Sequence, residues 1–341
     1  VTSTSRTRSD GTISKDHGAV RPEHGTISED HGAVQPEHST ASEDHTAGAE
    51  EKQVTQVGGN TRQHDGARTG RRRARLGAFG VAGVLALAVV LLMAVATVWP
   101  GLIAPNDPDA IAPRDAFAAP SLAHWFGTDE SGRDVFTRVV HGTRQSLGIG
   151  AAATAIGVGI GLVIGMLAGL GPRLVDSALS RVIEVLFALP SLVLALLLVS
   201  VMGAGVTPTL VAVGLATAPG YARILRSQVR SVAASPYVEA ARLEGQPALF
   251  VFFKHVAPNT LWPLVAVATL GVGQAIVWVS ALSFLGLGAL PPSPEWGAMV
   301  NGGRVYLVRA WWLTLAPGLA ITMTAAALTV LGRRLGRVGA A

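Results

Sequence analysis

The sequence predicts an all-α membrane protein of six transmembrane helices behind a disordered N-terminal tail. Three observations carry that reading. Apolar runs of about 20 residues, the length needed to cross a bilayer, recur six times along the 341 residues. Charged residues make up only 14% and the mean hydropathy is +0.42, against about 25% charged in ordinary soluble domains. The arginines cluster beside the apolar runs rather than on polar faces. The formal charge of +5 therefore suits a membrane surface better than nucleic acid. The absence of cysteine excludes disulfides, thiolate metal sites and a cysteine nucleophile.

Residues 1–70 are polar and carry an internal repeat. GTISKDHGAVRPEH at 11–24 is followed by GTISEDHGAVQPEH at 25–38, and a decayed copy begins at Ser39. Such a short polar unit cannot bury enough apolar surface to offset its ordering entropy, so a disordered cytoplasmic tail is expected. The repeat spaces His17, His24, His31, His38 and His45 seven apart. Histidine-rich tracts can chelate metal, but these sit far apart on a floppy chain and are poorly preorganised. Passive copying of a linker explains them better. The tail is not a short basic stretch feeding an apolar core, so a cleaved signal peptide is not expected.

The basic flank and first helix occupy 71–99, with the apolar run at 76–98; an extracytoplasmic loop follows at 100–146. A five-helix core is expected over 147–332, its spans at 147–170, 182–202, 208–225, 262–284 and 311–332, and a basic cytoplasmic C-terminus at 333–341. With the N-terminus inside, the cytoplasmic side holds Arg71, Arg72, Arg73, Arg75, Arg173, Arg181, Arg223, Arg226, Arg230, Arg242, Lys254, Arg333, Arg334 and Arg337. The outer loops hold Arg114, Arg133, Arg138, Arg144, Arg304 and Arg309. That excess sets the orientation, with both termini cytoplasmic. Trp99, Trp311 and Trp312 then mark the outer interface and Trp262 the inner one.

Gly157, Gly161, Gly165 and Gly169 form a stripe at spacing four on the second span, which lets helix backbones approach closely. Pro190, Pro219 and Pro317 fall inside the third, fourth and sixth spans, where proline bends a helix. Both features suit a packed bundle with a pathway, and both also occur in membrane proteins that transport nothing. Glu184 is the nearest approach to an intramembrane acid, and its expected role is an i, i+3 partner of Arg181. Without a buried acid or histidine relay, an ion-coupled carrier is disfavoured.

The cytoplasmic loop at 226–261 contains SPYVEAARLEGQPALFVFFKHVAPN. Ser235 is expected to cap a helix over 236–244 that opens on Pro236 and ends at Gly245. A second short helix follows, ended by Pro258. Ala240 and Ala241 are expected to give the first helix a low face for another protein, with Glu239 as an acceptor. Only Lys15, Lys52 and Lys254 are present and none follows glycine, so the chain has no phosphate-binding loop. No nucleophile–base pair or HExxH site is evident either.

This segment resembles the EAA loop of ABC importer permeases, with Glu239, Ala240, Ala241, Gly245 and Pro258 in register. His255 and Ala257 depart from the usual Ile and Leu, and Glu244 and Gln246 flank the glycine where small or apolar residues are common. Residues 126–147, FGTDESGRDVFTRVVHGTRQSL, resemble the stretch leading into the core of the dipeptide, oligopeptide and nickel permeases, with Thr137 for a usual Ser. Residues 283–304, SFLGLGALPPSPEWGAMVNGGR, and 311–321, WWLTLAPGLAI, are similar to that family's outer loop and last span. The resemblance covers 76–337 and points to the C-type permease of a pair. It implies a type I ABC importer permease fold in the cell membrane. It also implies a second homologous permease, one or two ABC ATPase subunits that bind ATP and Mg, and an extracytoplasmic substrate-binding protein. No cofactor, catalytic residue or nucleic-acid partner is expected in this chain. Short peptides are the expected cargo, with nickel or another small solute as the alternative. An ion-coupled carrier and a non-transporting membrane anchor are the rivals from other classes.

Overall fold

The computed structural model describes residues 80–339, and side chains to Arg337. The repeats, His17, His24, His31, His38, His45 and the arginines at 71–75 lie outside the described residues. Among the described residues the architecture is helical and no strand forms.

The first apolar run forms α1 (Gly80–Val98). Its face is studded with exposed Val81, Leu85, Leu91 and Leu92, as a lipid-facing helix should be. A one-turn helix, α2 (Pro100–Ile103), follows. The long α3 (Val135–Leu170) begins twelve residues ahead of the expected second span. Asp134 starts it: its carboxylate accepts from the Thr137 N–H at 2.8 Å and hydroxyl at 2.7 Å. More than half of the motif at 126–147 is therefore helix rather than loop.

The expected third span is not one helix. Pro190 separates α4 (Arg173–Phe187) from α5 (Ser191–Met202), and the two meet at 86°. Proline has no N–H to continue the ladder and its ring clashes with the preceding turn. Here that breaks the span instead of bending it. α4 is amphipathic, tied down at its start by Asp176, which pairs with both Arg226 and Arg230 at 2.5 Å. Glu184 pairs with Arg181 at 3.1 Å on an exposed surface, where such a pair is worth little.

α6 (Val206–Ala233) extends eight residues past the expected fourth span and carries Pro219 in its interior. By length and composition four helices are apolar enough to cross a membrane: α1, α3, the helical run Ala248–Phe284 and the last helix, α11 (Trp312–Gly339). The bent pair α4–α5 makes up to five. α6 is also 28 residues long but less apolar than these. Its buried face is built from small and weakly polar residues, Thr209, Gly214, Ala218 and Ala222. It lies in the protein interior, so its composition is set by close packing and not by lipid.

α3 and α6 run parallel. A Cβ on Gly161 would come within 2.5 Å of the Tyr221 Cβ, one on Gly165 within 2.7 Å of the Leu225 Cβ, and one on Gly169 within 2.7 Å of the Val229 Cγ1. Gly157 faces Thr217 and Gly214 in the same way. The stripe is thus a seam on which α6 lies, one turn per glycine. α9 (Ala257–Phe284) and α11 pack antiparallel to each other, Gly273 against Ala325 and Gly332 against Leu270. A core of Ile149, Ala153, Val199, Ala212, Val213, Ala275 and Val279 joins α3, α5, α6 and α9.

Candidate docking site

Between α6 and α9 the chain leaves the bundle as a small knob with its own core. It consists of α7 (Pro236–Leu243), α8 (Ala248–Val251) and a π-helical turn (Phe252–Val256) that runs directly into α9. Val232, Val238, Ala241, Val251 and Val256 pack together inside it.

Ser235 occupies the position before α7 with extended backbone and Pro236 next, but its hydroxyl does not cap the helix. It donates to the Val232 carbonyl at 2.5 Å. The expected cap is corrected: the side chain closes the end of α6 rather than the start of α7. The glycine break is a Schellman arrangement, with the Gly245 N–H on the Arg242 carbonyl and the Gln246 N–H on that of Ala241. Gly245 has φ +77°, the left-handed region that glycine enters without penalty. No atom lies within 4 Å of its Cβ direction, so backbone conformation alone demands glycine. The side chains of Glu244 and Gln246, unusual at these positions, hydrogen-bond each other at 3.0 Å across the break.

Pro258 does not end a helix. It sits in the first turn of α9, and the helical run is continuous from Ala248 to Phe284. The i→i+5 turn ahead of it leaves room for the ring, as π-bulges do. Asn259 Nδ2 and Thr260 Oγ1 donate to the carbonyls of His255 and Val256, at 2.6 and 2.8 Å, within that turn.

The structure also separates the alanines. Ala241 is 5% exposed and belongs to the knob core, while Ala240 and Glu239 face outward. The outward face of α7 is Pro236, Glu239, Ala240 and Leu243, at helical spacing. Leu243 is 84% exposed, Leu249 73% and Phe253 68%. Large apolar side chains are thus held exposed around a small packed core, a chemistry that suits an interaction surface. Sequence reasoning missed Leu249 and Phe253, although their spacing of four was the available signal. His255 lies beside the rings of Tyr237 and Phe250, centroids 6.2 and 6.3 Å away. Lys254 covers Phe250 at 4.6 Å.

At the opposite end of the bundle the outer motifs assemble into a cap. Buried Arg138 reaches the Pro108 carbonyl and the Asp109 carboxylate at 3.1 Å and the Pro292 carbonyl at 2.7 Å. Glu295, fully buried, starts α10 (Trp296–Gly303) by accepting from the Gly297 and Ala298 N–H groups at 2.9 and 2.8 Å. Burial pushes its carboxyl above the usual range, against the pull of those two N–H groups. Trp296 Nε1 donates to the Val139 carbonyl and Trp312 Nε1 to that of Thr128. Segments 126–147, 283–304 and 311–321, separate in sequence, are thereby one structure.

Residues 161–338 match the family described as the binding-protein-dependent transport system inner membrane component. A di/tripeptide transport system permease protein of Pseudomonas aeruginosa is 37% identical over 75% of this chain and 85% of its own length. A glutathione transport system permease protein of Pectobacterium atrosepticum is 38% identical over 74% of this chain and 84% of its own. Among solved structures, the inward-facing methionine ABC transporter MetNI overlays 59% of this chain and 96% of its own at a TM-score of 0.49 and 18% identity. With half the chain inside the family model and three quarters aligned to such relatives, this protein belongs to the inner membrane components of binding-protein-dependent transport systems, the permease subunits of ABC transporters.

Proposed function

We propose that this chain and a second homologous permease form the pathway of an ATP-driven importer for short peptides. An extracytoplasmic binding protein delivers the cargo at the cap. One or two kinds of ATPase subunit bind ATP and Mg at their own sites and dock on the knob. The observation that carries this reading is the knob's exposed apolar face, Leu243, Leu249 and Phe253, at the end where the arginine excess puts the cytoplasm. That orientation leaves both termini cytoplasmic in the cell membrane. The peptide assignment draws on relatives named for di/tripeptide and glutathione transport.

The mechanism is alternating access. ATP closes the ATPase pair, the knobs are pushed, and the spans rock so that the pathway opens outward; hydrolysis resets it. ATP can do this only through different affinities for the two states. Knob residues transmit the push. Leu243 and Phe253 supply apolar contact, each worth about 1.5–3 kcal/mol when fully buried. Glu239 accepts a hydrogen bond beside them, Ala240 leaves a low surface for the partner, and Gly245 and Pro258 shape the two turns that hold the face.

The test is uptake in cells lacking this chain. Labelled di- and tripeptides should fail to enter, and the wild-type chain should restore entry. Restoration of nickel uptake with peptides unaffected would replace peptides by the metal cargo. Full uptake without any co-purifying ATPase would point to an ion-coupled carrier and end the reading.

A further inference from the structure

A cavity of about 450 Å³ opens between α1, α3 and α11, just below the cap. Its walls include Leu92, Phe136, Val140, Leu319 and Met323, and almost every other lining side chain is apolar. Most of the polar groups along its depth are already used. The Thr143 hydroxyl donates to the Val139 carbonyl. The indole N–H groups of Trp296 and Trp312 donate into the protein. The cavity presents almost only apolar surface, so a peptide backbone placed there would lose its hydrogen bonds at a cost of several kcal/mol. It is not part of a peptide pathway. Water is excluded by the same argument.

All three walls, α1, α3 and α11, are long enough and apolar enough to span the membrane. Leu92, Leu319 and Met323 are about half exposed on them, so the mouth opens at hydrocarbon depth. Exposed Trp125 and Trp311 stand at its cap end, the level at which tryptophan settles beneath lipid headgroups. We propose that this cavity is a binding site for one acyl chain of a membrane phospholipid, inserted between α1 and α11 with its headgroup at the tryptophans. No charged side chain lines it, so the chain, not the headgroup, is recognised. The inference depends on the membrane setting and not on the cargo.

The complete transporter, extracted in mild detergent, is examined by native mass spectrometry after exchange into phosphatidylethanolamine, phosphatidylglycerol or phosphatidylcholine. One phospholipid per copy of this chain should remain, with less than threefold difference between headgroups. Ala320→Phe and Ala316→Leu, which fill the cavity from α11, should each lower retention at least tenfold in complexes that still carry their ATPase. Electron cryomicroscopy of the wild-type complex in nanodiscs should show forked lipid density with one branch in the cavity. No retained lipid, retention that follows headgroup charge, equal retention in both variants, or a protein helix in the cavity would each overturn the proposal.

Discussion

At the residue scale, position within the knob decides what a substitution means. Ala240 and Ala241 are neighbours of the same type, yet one faces outward and the other is core. Ala241→Arg buries an unpartnered charge among valines and should destroy the knob, seen as loss of protein to proteolysis. Ala240→Arg should leave the permease folded and stop the ATPase from co-purifying. Equal behaviour of the two variants would remove the docking face from α7. Gly245 offers a sharper test. With open space around it and φ +77°, strain is the sole objection to a side chain. Gly245→Val should destabilise by about 1–2 kcal/mol, the price of left-handed backbone, and Gly245→Asn by clearly less, measured as thermal midpoints. Much of this was legible in sequence: the glycine break, the proline at the start of α7 and the apolar run all stand where expected. The burial of Ala241 was not, because it depends on Val232 and Val251 arriving from other elements. Glu295 was equally silent, since a carboxylate after proline in a loop gives no sign that the fold will close over it. A carboxyl raised in the folded state holds its proton more tightly folded than unfolded. Its stabilising contribution is full below the unfolded value of about 4.3 and fades as pH rises through the folded value. The thermal midpoint of the wild type should therefore fall more between pH 5 and 8 than that of Glu295→Gln.

At the element scale, the seam between α3 and α6 is the most exacting contact. Gly161→Ala places a methyl against the Tyr221 Cβ and the Ala222 backbone N, 2.5 and 2.9 Å away, and should cost about 1–3 kcal/mol through overpacking. Gly159, two residues along on the open face with nothing within 4 Å, is the control. Its alanine variant should be neutral or slightly stabilising, because glycine disfavours helix by about 1 kcal/mol relative to alanine. A spacing of four glycines was readable as a close-packing face, but not which helix would occupy it. Pro190 shows the opposite limit. An apolar stretch around one proline reads as a kinked span, and the 86° break follows only once α4 is anchored elsewhere. Asp176 provides that anchor through Arg226 and Arg230, so Asp176→Asn should speed amide exchange across 173–187 while leaving α5 protected.

At the scale of the whole molecule, two ends with different tasks are joined by shared helices. The cap is knitted from segments more than 150 residues apart, with Arg138 of α3 bonded to Pro292 beyond α9. Each outer motif was recognisable alone in the sequence. Their union was not, since no local pattern tells Arg138 that its acceptor is a carbonyl in a distant loop. Arg138→Met should open residues 100–134 to protease and weaken uptake while ATPase binding at the knob persists.

The unbroken helical run from Ala248 to Phe284 bears on how the ends communicate. Thirty-seven residues make a rod of about 55 Å at 1.5 Å per residue. Leu249 and Phe253 ride on one tip of this rod, and Ser280 and Ser283 at the other tip are buried against the cap glycine Gly297. No hinge loop lies between them to absorb a displacement. Under the proposed mechanism, a push on the knob tip would be delivered axially, as through a piston. The wide π turn and the prolines at 258 and 263 all lie in its knob-end half.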